Sequence, residues 1–403
     1  MIPFSPPRID QKTIDEVTDT LLSGWITTGP KTKKFESRLT EYAGHKKTLC
    51  VSSGSAGLEL MLRWFGVGNG DEVILPAYTY AATANVIIHC GATPVFVDVN
   101  KKDFNISVEE IKRHITPRTK VIMPVDLGGY PCDYDEINEL VTQEKIKQQF
   151  NPYTEIQHKL GRILVMSDAA HSVGAAYQGK KTGKLTDITV YSFHAVKNLT
   201  TAEGGAVCLN LPDEFDHEAL YKELNIKSLH GQSKDALAKF KVGNWRYDVL
   251  EAGYKYNMTD IQAAMGLVEL QRYEEDMLKR RRQIFEKYTA AFEKHDWAEV
   301  PLFETSAKTS SFHAYLLRIR GIHESARDNI IGEIFRQEVS VNVHFIPLPM
   351  MTYYKKLGYD ISDYPVAYDN FSREISLPVY YDLTDAQIET VIRAVVSSVE
   401  KFI

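Results

Sequence analysis

The chain has 403 residues, 44% hydrophobic and 25% charged, an ordinary composition for a water-soluble protein and too long for one simple core, so two lobes are expected. Its net charge is −6, from 47 Lys and Arg against 53 Asp and Glu, which leaves no basic footprint for nucleic acid. No apolar run approaches the ~20 residues of a membrane span, and MIPFSPPRID lacks the basic and apolar regions of a secretory signal, so a cytoplasmic location with no membrane partner is expected.

The first element with chemical content lies between Thr48 and Phe65. A short apolar strand, Thr48–Ser52, runs into Ser53, Gly54 and Ser55, and an apolar-periodic helix follows. Backbone N–H groups at such a helix start favour an anion, and small residues let it approach. Ser55 is placed to cap this helix and to meet an anion oxygen. Strands follow at Glu72–Pro76, Pro94–Val99, Val121–Val125, Ile163–Ser167, Thr189–Phe193 and Ala206–Leu209, many separated by helical stretches. That alternation predicts a three-layer α/β/α arrangement around a mostly parallel, doubly wound sheet.

Within this series, Glu139–Leu160 is polar, carries the turn signal Asn151-Pro152, and reads as a surface insertion rather than a binding loop. The strand Ile163–Ser167 ends at Asp168. An acid at the carboxyl end of a parallel strand lies where open α/β sheets bind ligands. It could keep a pyridine nitrogen protonated, or it could cap a helix. Lys197 follows the strand Thr189–Phe193 in a polar loop that closes on Gly204 and Gly205. Taken alone, it fits a solvated loop lysine as well as an amine of depressed pKa held for Schiff-base chemistry.

A long helix is expected from Thr259, its cap, to about Glu293, with Lys279-Arg280-Arg281-Arg282 as its solvated face. Strands near Ala314–Arg320 and Val339–Phe345 and a final helix from about Asp385 predict a smaller α+β lobe. The division falls at residues 1–255 for the large domain and 256–403 for the crossing segment, long helix and small domain. Cys50, Cys90, Cys132 and Cys208 lie in or beside apolar strands without C-x-x-C spacing, so they read as reduced core residues and not as a disulfide or metal framework.

Seven segments in order resemble the DegT/DnrJ/EryC1/StrS family of nucleotide-sugar aminotransferases. They are SGWITTGPKTKKFE (Ser23–Glu36), VSSGSAGLEL (Val51–Leu60), GDEVILPAYTYAATAN (Gly70–Asn85), VDLGGYPCD (Val125–Asp133), SDAAHSVGA (Ser167–Ala175), SFHAVKNLTTAEGG (Ser192–Gly205) and GYKYNMTDIQAAMG (Gly253–Gly266). The resemblance implies the aspartate-aminotransferase type of fold (fold type I) and pyridoxal 5'-phosphate as cofactor. By it, Lys197 is the Schiff-base lysine, Asp168 the partner of the ring nitrogen, His171 the residue beside the ring, and Tyr80 the stacking aromatic. Ser55, the Ala56 N–H and Ser192 match phosphate contacts, and Asn257 lies in a segment that reaches a partner subunit's cofactor in a homodimer with shared sites.

Many relatives read Asn-x-Arg where this chain has Lys255-Tyr256-Asn257, which leaves either Lys255 or Asn257 as the phosphate contact. The Lys-x-Asn form and SFHAVKN resemble the branch that forms 4-amino-4-deoxy-arabinose on a uridine carrier. Relatives also have a shorter link where Glu139–Leu160 stands. Trp25, Thr27, Thr28, Arg246, His313, Tyr315 and His344 are substrate candidates, each equally readable as a structural residue. The implied reaction moves an amino group from glutamate to a nucleotide-linked keto-sugar, a UDP-4-keto sugar, for surface polysaccharide or lipopolysaccharide. Sugar dehydratases of the family replace the lysine with histidine, against Lys197 here. A cofactor enzyme acting on amino acids alone remains an alternative. Effector-binding regulators of this fold carry an added DNA-binding segment, for which no room is expected.

Overall fold

The structure is a computed structural model and describes residues 1–234 and 246–403. The first helices are α1 (Gln11–Leu22), α2 (Pro30–Ala43), α3 (Gly54–Trp64) and α4 (Ala81–His89). The strands are β1 (Lys47–Val51), β2 (Glu72–Pro76), β3 (Thr93–Val97), β4 (Thr119–Ile122), β5 (Leu164–Asp168), β6 (Ala176–Tyr177), β7 (Lys180–Lys181), β8 (Ile188–Ser192), β9 (Gly205–Leu209), β10 (Ala298–Glu299), β11 (Lys308–Thr309), β12 (Tyr315–Ile319) and β13 (Glu374–Leu377). Seven of them form one sheet in the order β1-β9-β8-β5-β4-β2-β3. Strand β9 is antiparallel to both its neighbours, and the other pairs are parallel.

All seven strands were expected, because a sheet covered on both faces needs near-continuous apolar runs. Alternation along each strand then feeds two cores. Leu49, Val51, Val190, Val207 and Leu209 join one, while Cys50, Tyr191, Ala206 and Cys208 join the other with Phe35, Leu39 and Ala263. Cys50, Cys132 and Cys208 are buried thiols and Cys90 is half-buried.

The small lobe differs from expectation. Its sheet runs β10-β12-β13, all antiparallel. The segment Val339–Phe345 is not a strand: only Val339 and Asn342 form single bridges, to Ile2 and Ser376. The place beside β12 goes to β13, whose EISL run was missed because Glu374 and Ser376 break its apolar pattern although both are fully buried.

The long helix is interrupted as well. Thr259 caps it with a reciprocal Gln262 contact, as expected. It then runs Asp260–Gln271, passes through a π-helical turn at Tyr273–Leu278, and resumes at Lys279–Phe292. That turn rotates the following helix, and Arg281 is buried rather than solvated. Its guanidinium donates to the carbonyls of Phe312, His313 and Val379 at 3.2, 3.3 and 3.2 Å. A cation that the charge run had placed in water thereby ties the residues just before β12 to those just after β13.

Glu139–Leu160 folds into the end of one helix (Tyr134–Thr142) and two short ones, Glu144–Gln149 and Glu155–Leu160. Ile146 and Phe150 enter the core. Gln157 donates to the Phe65 carbonyl at 3.0 Å, and the Tyr153 hydroxyl reaches Asp71. Asp71 precedes β2, so the insertion docks at the amino end of the sheet, opposite Asp168. Among the described residues, no helix is long and apolar enough to cross a membrane.

Candidate active site

The sheet order brings the site together. The carboxyl ends of β1 and β8 both pair with Gly205, through Val51 and Ser192. The start of α3 therefore lies against Ser192. A Cβ on Gly54 would come within 3.2 Å of Ser192 Cβ, and one on Gly205 would stand 2.6 Å from the Gly54 nitrogen. The approach at Gly205 is to backbone and requires glycine, and the one at Gly54 is tight. The helix cap is Ser53, not Ser55: its Oγ accepts from the Ala56 N–H at 3.0 Å. That cap occupies the N–H assigned above to an anion, and it leaves Ser55 exposed in the first turn beside half-buried Ser192. Small residues at a helix N-terminus remain a cradle for a phosphate.

Asp168 closes β5, and β5 pairs with β8, so the acid and the lysine loop share one end of the sheet. Asp168 is buried, accepting from the Thr83 hydroxyl at 2.8 Å and the Ala170 N–H at 3.2 Å. Burial raises its pKa, while those two donors and the Lys197 cation oppose the rise. Lys197 sits in a turn whose N–H bonds the His194 carbonyl at 2.9 Å. Burial lowers its amine to about 8, against the pull of Asp168. Near neutrality an appreciable share of that amine is unprotonated and nucleophilic.

His171 stacks on His313 at 4.1 Å and on Phe345 at 5.8 Å between ring centroids. Burial, with Lys197 nearby, keeps it neutral. Its Nδ1 is buried without a hydrogen-bond partner. A buried polar atom of this kind asks for a ligand. Tyr80, 62% exposed, lies 5.7 Å from the Phe345 ring and offers a free aromatic face. Beneath them, Gly129 has φ 92°, and a Cβ there would overlap Ser311 Oγ, which donates to the His171 carbonyl. These groups fit a flat phosphorylated pyridine: a cradle for the phosphate, an acid for the ring nitrogen, an aromatic face, an unpartnered imidazole nitrogen and a free amine.

Three contributors were not singled out in the sequence. Asn198 accepts from His313 Nδ1 at 2.8 Å and donates to the Ser311 carbonyl at 2.7 Å. Its signal was adjacency to Lys197. Thr83 lies one helical turn after Tyr80. Asp260 caps α2 by accepting from the Gly29, Lys31 and Thr32 N–H groups.

The substrate candidates separate. His313 is in the site. His344 is half-buried and near it, at 6.5 Å from the His171 ring, but on a loop and not a strand. Tyr315 is a correction: it is fully buried, its hydroxyl meets Thr289, and Phe285 and Tyr288 pack on its ring, so it belongs to the small-lobe core. Thr28 accepts from Asn257 Nδ2 at 2.7 Å and donates to the Met258 carbonyl, and Trp25 Nε1 donates to the Thr28 carbonyl. Thr27 is exposed, and its carbonyl accepts from the Asp260 N–H. The Tyr256 carbonyl accepts from Ser52, which ties this segment to the end of β1; Lys255 is exposed. Arg246 is exposed, and Asn244 and Trp245 of its motif lie outside the described residues. Among the described residues no His, Cys, Asp and Glu cluster could hold a metal ion.

The model of the DegT/DnrJ/EryC1/StrS aminotransferase family matches residues 7–396. A solved structure of the putative sugar aminotransferase Spr1654 from Streptococcus pneumoniae, in its PMP form, superposes with a TM-score of 0.96 at 45% identity, covering 100% of both chains. The PLP form of that protein gives 0.94 at 44% identity, covering 100% of this chain and 99% of that one. The spore coat polysaccharide biosynthesis protein SpsC of Bacillus subtilis is 37% identical over 400 residues, 98% of this chain and 96% of SpsC. An uncharacterized protein of Methanocaldococcus jannaschii, MJ1066, is 42% identical over 397 residues, 98% of this chain and 96% of its own.

Proposed function

The chain belongs to the DegT/DnrJ/EryC1/StrS aminotransferase family, whose cofactor is pyridoxal phosphate, and from that premise we propose that it moves an amino group from glutamate to the keto-sugar of a nucleotide sugar. The acceptor in this reading is a UDP-linked 4-keto sugar, and the product enters a surface polysaccharide made in the cytoplasm. The observation that carries the reading is the convergence of Lys197, Asp168 and His171 with the α3 cradle at the carboxyl end of the sheet. Similarity to the putative sugar aminotransferase Spr1654 and to a spore coat polysaccharide biosynthesis protein supports the sugar acceptor.

When bound, pyridoxal phosphate supplies an electron sink and carries the nitrogen between the two substrates. Lys197 Nζ is the residue that would hold it covalently, with Ser55 and Ser192 at the phosphate and Tyr80 against the ring. Lys197 Nζ, freed when the donor amine arrives, takes the proton from the donor's α-carbon. Asp168 is the acid that would pair with the ring nitrogen and hold a proton there. His171 stays neutral beside it and offers Nδ1 as a hydrogen-bonding group.

The test is spectroscopic. Glutamate should convert the loaded protein to its aminated spectrum, and a UDP-4-keto sugar should restore the original one. A panel of 3-keto and 4-keto nucleotide sugars then fixes the acceptor. If no keto-sugar restores the spectrum while amino acids turn over, the enzyme acts on amino acids alone.

We further propose a homodimer with shared sites, in which Asn257 or Lys255 reaches the neighbour's phosphate. Tyr247, Val249 and Leu250 are more than half exposed just before that segment, as apolar groups covered by a partner would be. A symmetric interface makes the exchange mutual. Mixing inactive Lys197→Ala with Asn257→Ala, after subunit exchange, should restore activity in one of the two sites of each mixed dimer. If Asn257→Ala alone stays active, Lys255→Ala takes its place. Mixed dimers without recovered activity would show that each site is built from one chain.

A further inference from the structure

Glu374 is a carboxyl group at 0% exposure in the middle of β13, and the chemistry described so far does not use it. Its Oε1 accepts from the Ser376 hydroxyl at 2.5 Å, and its Oε2 accepts from the His344 backbone N–H at 3.0 Å. Ser376 Oγ is in turn 2.9 Å from His344 Nδ1. A hydroxyl has one proton and two lone pairs, so it can pass a proton along this line in either direction. The His344 ring lies 4.9 Å from Phe345 and 6.5 Å from His171, with Phe4 stacked on it at 5.5 Å. The line thus runs from a buried carboxyl to the edge of the site.

We propose that Glu374, Ser376 and His344 form a proton relay that lets His344 accept a proton at Nε2 without becoming an imidazolium. The proton bound at Nε2 is matched by transfer of the Nδ1 proton to Ser376 Oγ and of the Ser376 hydroxyl proton to Glu374 Oε1. His344 is neutral before and after, with its tautomer reversed. The proton is that of the Lys197 ammonium, whose charge acts on the His344 ring, so a half-buried cation and a buried carboxylate are neutralised together. The inference therefore rests on the reading of Lys197 as the reactive amine.

Electrostatics favours this route over simple protonation of the ring. Burial and the Lys197 cation hold the His344 imidazolium down to about 4, and His171 and His313, both neutral, offer it no anion. Burial pushes Glu374 up to about 8, against Ser376, the His344 N–H and the guanidiniums of Arg327 and Arg318; the phenol of Tyr78 also faces it. Lys197 stands at about 8 as well. Burial thus favours the neutral amine at Lys197 and the neutral carboxyl at Glu374, so moving the proton along the line removes two disfavoured charges, whereas leaving it on the His344 ring creates one.

The full-length protein, loaded with pyridoxal phosphate and 15N-labelled in its histidines, can be titrated by NMR, with His344 assigned as the signal missing from His344→Gln. His344 should stay neutral, carrying its proton on Nε2 below about pH 8 and on Nδ1 above it. In Ser376→Ala the switch should vanish, and the half-reaction with glutamate should slow by about tenfold. A single tautomer at every pH in the wild type, a switch that persists in Ser376→Ala, or an imidazolium near neutrality would each overturn the relay. If Ser376→Ala does not fold, Glu374→Gln removes the same titration, and the wild-type curve decides by itself. Borohydride labelling on a lysine other than Lys197 would overturn the reading of that residue and leave the tautomer result standing.

Discussion

Lys197→Ala should lose the visible absorbance of the bound cofactor and all amino transfer, while its fold survives. The amine is the group whose nitrogen would link covalently to pyridoxal phosphate and whose lone pair would then carry the proton, so both functions go at once. Stability should hold because burial already disfavours the Lys197 ammonium, as its lowering to about 8 records. Removing it takes away a charge that the fold accommodates at a cost near neutral pH. The expected record is a urea midpoint near that of the wild type with no measurable transamination. In the wild type, borohydride should fix the cofactor to Lys197, and peptide mapping that found it on another lysine would falsify the assignment.

The second large effect is expected at Asp168. Asp168→Asn keeps the shape of the side chain, and an amide oxygen can still accept from Thr83 or Ala170. It removes the negative charge that would hold a proton on the ring nitrogen. The loss should be about 2–4 kcal/mol of transition-state stabilisation, the scale of one preorganised electrostatic contact. It should appear in kcat for both half-reactions, with glutamate affinity little changed, because the charge matters most as the electron sink fills. Turnover near the wild-type value would reduce Asp168 to a structural acid that orders the Ala170 turn and the start of α4 through Thr83.

The chain by itself determined the large sheet. Its seven strands are apolar runs of four or five residues bounded by small polar turns, and burial on both faces leaves little freedom in how such runs are read. The residues of the candidate site were legible for a related reason. Lys197, Asp168 and the Ser53-Gly54-Ser55 turn all lie at or just beyond strand carboxyl ends, where open α/β sheets bind ligands. What no local pattern could give was the order β1-β9-β8-β5, which sets the lysine loop and the start of α3 side by side through Gly205.

Tertiary structure also decided the cases in which polar residues are buried. Arg281 sits in a charge run that reads as solvated, yet the π-helical turn before it swings it onto three carbonyls. Tyr315 reads equally as a substrate contact and as a structural residue, and the fold makes it a core ring whose hydroxyl finds Thr289. Glu374 and Ser376 hide a strand from any apolar pattern, yet the interior accepts them since they bond each other and their remaining polar atoms meet His344, 30 or more residues away in the chain. Hydrophobic periodicity records which residues avoid water; it cannot record which polar groups will satisfy one another, because those partners are neighbours only after the chain has folded.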